Sequence, residues 1–205
     1  MSKKEPQVLR LKITLEHVDP APWREIDIRS DKTLPHLHDA IQAAFLWNDL
    51  HLWDFEIGDR KYQVKSEEFW IEPMFGPAVM EVTRKRLDFF LNSKVPLVVY
   101  TYDFGDDWAH RIELISKRPI EPNEALPHFV GGQWATPPED IGGPPMYEVF
   151  KEAREDASHL EHDWAEEAGY VDWSHNEMHA DVFSKQFAKL QRQKTRRTSR
   201  WVLDG

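Results

Sequence analysis

Val8-Leu9-Arg10-Leu11-Lys12-Ile13-Thr14-Leu15-Glu16 is the stretch from which the rest of the chain can be read. Leu9, Leu11, Ile13 and Leu15 fall on one face, and Arg10, Lys12, Thr14 and Glu16 on the other. A period of two belongs to a strand with one face in a core and the other near water, the habit of antiparallel sheets. Asp19-Pro20-Ala21-Pro22 ends it, because proline has no amide hydrogen to give to a ladder. Trp23–Ile28 then reads as the returning strand of a hairpin. Asp31 or Thr33 can cap a helix that carries Pro35 in its first turn and an apolar stripe of Leu34, Leu37, Ile41, Ala44 and Phe45.

The same logic extends outward. His51–Ile57 and Arg60–Val64 make a second hairpin, turning at Gly58-Asp59. Leu97–Tyr102 and Trp108–Ser116 make a third, turning at Gly105-Asp106. Between them, residues 66–95 contain Pro73, Gly76 and Pro77, which forbid long regular elements, and Leu87–Leu91 can form one short helix. Pro119 to Pro145 reads as a long Pro/Gly-rich loop, and loops of that length inside a compact domain tend to carry function. Met146–Arg154, Ser158–Ala168 and Asp181–Gln193 read as helices. The order predicts an α+β fold with a mostly antiparallel or mixed sheet, a β-hairpin–helix–β start of β-grasp-like type, and a helical C-terminal third. The β-grasp comparison is an analogy between folds and implies no activity. The expected organisation is a single α+β domain over residues 1–181 and a basic helix and tail over 182–205.

A chain of 205 residues can bury a core without covalent help. It has no cysteine, which excludes disulfides, thiolate zinc sites, iron–sulfur clusters and a Cys nucleophile. The opening Met1-Ser2-Lys3-Lys4-Glu5-Pro6 has no apolar segment behind it, and no apolar run is long enough for a membrane span. The expectation is a cytoplasmic protein with no membrane partner.

The net charge of −10 is unevenly spread. Residues 1–181 hold 19 bases against 35 acids, whereas 182–205 hold seven bases against one acid. The acidic body repels phosphate backbones, so nucleic acid is a candidate partner only through the tail, at Lys194, Arg196, Arg197 and Arg200. The alternative is that the tail pairs with the acidic body.

Asp103-Phe104-Gly105-Asp106-Asp107-Trp108-Ala109-His110 is the stretch richest in chemistry. Carboxylates at Asp103, Asp106 and Asp107 with His110 close behind are a donor set for a hard divalent cation, since crowded like charges repel unless a cation lies between them. The competing reading is a tight turn, in which Asp side chains bond nearby amides and Trp108 is a core aromatic. In Pro137–Pro144, Glu139 and Asp140 sit between proline pairs and a Gly-Gly, a frame that either presents carboxylates or leads into the next helix. Arg24, beside Trp23, is a candidate counter-ion for the Asp cluster. His159 and His162, and His175 and His179, are spaced to share helix faces, but neither pair has the zincin pattern. Nine tryptophans point to core packing or to an aromatic groove rimmed by acids, suited to a cationic or peptide ligand. No Walker loop, Gly-x-Gly-x-x-Gly or Gly-x-Ser-x-Gly motif occurs.

Four stretches together resemble one family: Leu9–Leu15 with Pro22-Trp23-Arg24-Glu25-Ile26; Leu37–Trp47 with His51-Leu52-Trp53-Asp54-Phe55; Tyr100–His110; and Pro137–Pro144. In this order they resemble the plasmid pRiA open-reading-frame-three-like family, from about residue 8 to 190. The resemblance implies a bacterial or archaeal protein associated with plasmids and insertion elements and carrying no established reaction. It also draws attention to His38 and His51, whose contexts match the family motif. Many members have cysteines near the positions of Phe129, Thr136 and Ile141, so a thiol-based role does not transfer to this chain. Some members carry a resolvase label, against which the acidic body and the absence of a recombinase motif argue here.

The leading expectation is a non-enzymatic binding module for a protein or peptide, with a surface built from the 103–110 turn and the 131–144 loop. Its candidate ligand-binding residues are Asp103, Asp106, Asp107, Glu139, Asp140, Arg24 and Trp108. The alternative is a metal-dependent hydrolase or nuclease-like enzyme. There Asp103, Asp106, Asp107 and His110 are candidate ligands of a divalent cation, and His51 or His110 the general base. A third reading is nucleic-acid binding through the tail.

Overall fold

The computed structural model describes residues 5–64, 78–82, 84–92, 97–168, 173, 174, 176, 178 and 180–192. The alternating stretch forms β1 (Gln7–Leu15), with Leu9, Leu11, Ile13 and Leu15 fully buried and Arg10, Lys12 and Thr14 half-buried behind them. It pairs antiparallel with β2 (Trp23–Arg29), placing Leu9 opposite Ile28 and Arg10 opposite Asp27. α1 (Leu34–Phe45) starts after Thr33 with Pro35 in its first turn. Thr33 keeps an extended backbone, but its hydroxyl bonds the His36 ring at 2.8 Å instead of capping an amide. Leu46, at φ 59, turns the chain out of the helix, and the Trp47 amide donates back to Gln42 O at 3.0 Å.

Next come β3 (Trp53–Ile57), β4 (Arg60–Gln63), β5 (Ala78–Glu81), the single turn α2 (Leu87–Phe90), β6 (Val98–Tyr102), β7 (Trp108–Pro119) and β8 (His128–Gln133). The three expected hairpins all form, as β1–β2, β3–β4 and β6–β7. One sheet takes all eight strands in the order β5-β4-β3-β6-β7-β1-β2-β8. The β4–β5 pair is parallel and the others antiparallel, so the sheet is mixed. After the sheet come α3 (Gly143–Glu155), α4 (His162–Ala168) and α5 (Ala180–Arg192), making five helices among the described residues.

The long loop expected over Pro119–Pro145 is the main correction, because it contains β8. Gly131 and Gly132 disguise that strand, since glycine disfavours sheet. At Gly132 the glycine is required: a Cβ there would lie 2.6 Å from Trp23 O and 2.8 Å from Arg24 Cδ. β8 is an edge strand, and α5 packs against it, with Phe129 stacking on Phe183 at 4.9 Å. α5 also packs on α1 and buries Phe183 and Phe187, so the helix that opens the basic segment belongs to the core.

On the face of β1 and β2 away from their apolar residues, Asp27 is fully buried beneath Arg10, Arg118 and His128. Burial pushes its carboxyl up, but the hydrogen bonds from Arg10 and Arg118 together outweigh this and hold it below the usual range. Asp27, Glu124 and His128 are close enough to be metal donors, yet Arg118 already bridges Asp27 and Glu124. No helix among the described residues is long and apolar enough to cross a membrane.

Candidate functional site

Three segments meet at one end of the sheet: residues 46–52 after α1, the β6–β7 turn at 103–107, and residues 134–142 after β8. Asp103 and Asp107 flank the turn with left-handed backbones at φ 56 and 55, a region in which Asp is more at ease than most residues. Asp103 Oδ1 accepts the Gly105 amide at 2.9 Å, and the Asp107 amide donates to Asp103 O at 2.7 Å. One oxygen of Asp103 therefore serves the turn, as the structural reading expects. The other, Oδ2, lies 3.5 Å from His51 Nδ1.

The 137–142 segment is bound to this turn and to the residues after α1. Asp106 Oδ2 accepts the Gly142 amide at 3.1 Å. Glu139 Oε1 accepts the Tyr102 hydroxyl at 2.6 Å, while its Oε2 takes Asn48 Nδ2 at 2.6 Å and the Asn48 amide at 3.1 Å. Burial, and then the Glu139 carboxylate, raise the Tyr102 phenol well above its ordinary value, which keeps it a neutral donor. Trp47 stacks on Tyr102 at 5.0 Å and donates its indole N–H to Pro137 O at 3.0 Å.

His51 stands between two carboxylates. Its Nε2 is 2.8 Å from Asp140 Oδ1, close but out of line for a hydrogen bond, and its Nδ1 faces Asp103. Donor atoms of His51, Asp103 and Asp140 all lie within 4.8 Å of one another, a set able to hold a divalent cation. Next to Asp140 a cleft of about 550 Å³ opens, lined by Asp140, Ile141, Gly142, Met146, Val149, Glu161 and Trp164.

The structure thus joins five of the residues singled out in the sequence: His51, Asp103, Asp106, Glu139 and Asp140. Asp107 is exposed at the far end of the turn, where it adds to the charge around Asp54. Asp54 is itself pushed up by burial, against the pull of Lys61 at 3.2 Å.

Three other candidates belong to the core. Trp108 is buried, with its ring 6.0 Å from Trp47 and 6.4 Å from Tyr147. His110 has no solvent exposure, so it is neither an accessible base nor a member of the carboxylate cluster. Its Nδ1 lies 2.9 Å from Trp108 O and 3.3 Å from Tyr100 O, and therefore carries the proton. Burial pushes its pKa down to about 3. Arg24, expected to hold the Asp cluster, instead staples backbone. It donates to Ala44 O at 2.9 Å, Trp23 O and Gln133 O at 2.8 Å, Trp134 O at 2.9 Å and Thr136 Oγ1 at 3.0 Å, between the Phe45 and Phe183 rings. A guanidinium fork can reach several carbonyls at once, which explains an arginine here.

His38 is also internal. It bonds the Tyr100 hydroxyl at 2.8 Å and Asp49 Oδ1 at 3.0 Å and stacks on Trp53 at 4.3 Å. His159 Nδ1 accepts the Glu161 amide, and His162 Nδ1 bonds Ala153 O. His175, His179, Trp70, Lys194, Arg196, Arg197 and Arg200 lie outside the described residues. Sequence reading missed Asn48 and Tyr102. Tyr102 had a signal, since it shares a strand face with Tyr100 and precedes the acidic turn; Asn48 had none.

Fold and site together define an α+β protein with a mixed eight-stranded sheet and an acidic, histidine-bearing junction of loops at one end. The chain belongs to the plasmid pRiA4b ORF-3-like family, whose model matches residues 7–186. It is 31% identical over 196 residues to the uncharacterized protein y4hQ of Sinorhizobium fredii (strain NBRC 101917 / NGR234), covering 92% of this chain and 98% of that one. It also resembles the crystal structure of a protein of unknown function, MM3350, from Methanosarcina mazei Go1, with a TM-score of 0.76 and 26% identity, over 87% of this chain and 98% of the other.

Proposed function

We propose that the chain is a non-enzymatic binding module of a plasmid- or transposable-element-associated family, working in the cytoplasm on a protein or peptide partner. The observation that carries this reading is the joining of the 103–107 turn to the 137–142 segment through Asp106–Gly142 and Tyr102–Glu139. Those bonds fix Asp103, Asp140 and His51 in one place beside an open cleft, a preorganised surface that binding does not have to assemble. The test is a panel of synthetic peptides graded from acidic to basic, titrated against the wild-type chain and Asp103→Asn/Asp140→Asn. Saturable binding of any member that weakens in the double variant supports the reading; a panel with no saturable binder overturns it.

A metal-dependent hydrolase is the second reading, favoured by the convergence of His51, Asp103 and Asp140. One imidazole and two carboxylates would hold a divalent cation, which supplies Lewis acidity to a bound water. Two finer statements about the fold accompany the proposal. The order β1–β2–α1–β3 supports a β-grasp-like opening, and α3, α4 and α5 support a helical C-terminal third.

A further inference from the structure

We infer that the cleft beside Asp140 is a docking groove for a partner segment that carries lysine or arginine next to apolar side chains; this rests on the binding-module reading and names its ligand. The groove has an apolar lining with an acidic rim. Met146 and Val149 are three residues apart on α3, so they share a helix face, and Trp164 of α4 faces them, with Ile141 and Gly142 closing the end nearest the β6–β7 turn. The Trp164 ring packs edge-to-face on the buried Phe150 ring, with centroids 5.9 Å apart. Asp140 and Glu161 supply the charge, and among the described residues no basic one lines the cleft.

Both rim carboxylates are open to a partner. The Asp140 side chain is 62% exposed, and its contact with His51 uses one oxygen only. Glu161 is exposed and enters no ion pair among the described residues. Met146 in the lining is 36% exposed, and Leu160, the residue before Glu161, is 98% exposed. A volume near 550 Å³ lies in the range of ligand sites, enough for a few side chains.

Charge complementarity selects the occupant. An acidic segment would be repelled by the rim and by the surplus of acids over residues 1–181. A purely apolar one would strip water from two carboxylates without replacing their hydrogen bonds. A basic segment with apolar neighbours satisfies both parts of the groove, and an arginine or lysine laid on the Trp164 indole gains cation–π attraction as well.

The test uses the full chain and a fluorescein-labelled peptide alternating arginine and leucine. Two companion peptides replace every arginine by glutamate or every leucine by serine. Fluorescence anisotropy reads the binding to wild type, to Asp140→Asn/Glu161→Gln and to Met146→Lys. The control is Asp59→Asn/Glu121→Gln, which removes the same charge at the opposite end of β3 and β7. Expected is saturable binding of the arginine–leucine peptide that falls about tenfold or more in both groove variants, stays at the wild-type level in the control, and weakens with salt. Glutamate–leucine or arginine–serine peptides that bind equally well, or groove variants that match the wild type, overturn the inference. If an acidic or neutral member of the wider panel binds instead, the module reading stands and this inference falls; with no binder in the whole panel, both fall.

Discussion

Asp106 Oδ2 accepts the amide of Gly142 at 3.1 Å, a bond between positions 36 residues apart that lays one loop on another. The next residue makes the fit tighter. A Cβ on Gly143, which sits at φ 76, would come within 2.3 Å of Asp106 O. Only glycine meets both the left-handed backbone and this close approach.

Gly143→Ala is therefore expected to destabilise the chain by about 1–3 kcal/mol and to loosen residues 137–142. Asp106→Ala, which deletes one solvent-edge bond, should cost about 1 kcal/mol and loosen the same segment less. Urea unfolding gives the first quantity and hydrogen–deuterium exchange the second. Equal protection of the segment in Gly143→Ala and the wild type would contradict the close approach.

Arg24→Ala removes a fully buried guanidinium from the carbonyls of Ala44, Gln133 and Trp134, the first of these bonds wholly buried and the other two partly so. A loss of about 1–3 kcal/mol for each carbonyl left unsatisfied is expected, with little recovery in Arg24→Lys, because an ammonium cannot span the same acceptors. A melting temperature unchanged in Arg24→Ala would refute the staple.

His110 sets an acid limb on stability. Its folded pKa, near 3, lies below the ordinary 6.5. Between those values the unfolded chain binds a proton that the folded chain refuses, so stability falls as pH drops through that window and is unaffected by this group above it. The slope amounts to on the order of a few kcal/mol across the window, and His110→Phe removes it. NMR should show the His110 ring neutral down to the pH at which the protein unfolds.

Metal uptake separates the two functional readings. Native mass spectrometry of the chelated protein titrated with Mg²⁺, Mn²⁺, Zn²⁺ and Ca²⁺ is expected to show no stoichiometric ion if the chain is a simple binding module. One ion per chain, lost in Asp103→Asn/Asp140→Asn and kept in Asp106→Asn/Asp107→Asn, would move the centre to the hydrolase reading. The variants differ because only Asp103 and Asp140 share donor distances with His51.

Tyr102→Phe removes the hydroxyl that donates to Glu139 at 2.6 Å and accepts the Leu50 amide at 2.9 Å. A cost of about 1–3 kcal/mol is expected, with faster amide exchange at Asn48–Leu50. Unchanged exchange there would show that the hydroxyl does not tie the loops together.

The sequence alone determined the local elements. Period-two alternation in β1, the Asp-Pro and Gly-Asp turns, and the Pro-led start of α1 are readable because each depends on residues a few positions apart. The acidic turn and the Pro-rich loop were also recognisable as the places where chemistry concentrates. Tertiary structure decided what those residues do. β8 was hidden because its Gly-Gly pair disfavours a strand until Trp23 and Arg24 press against it. His110 and Trp108 follow the acidic turn in sequence, yet strand alternation and the rings of Phe45, Trp47 and Tyr147 carry them into the core. His51 and Asp140 come from separate loops, and Arg24 took carbonyls in place of carboxylates. Such partnerships are set by which loops the sheet order brings to the same end, and that order depends on contacts across the whole chain.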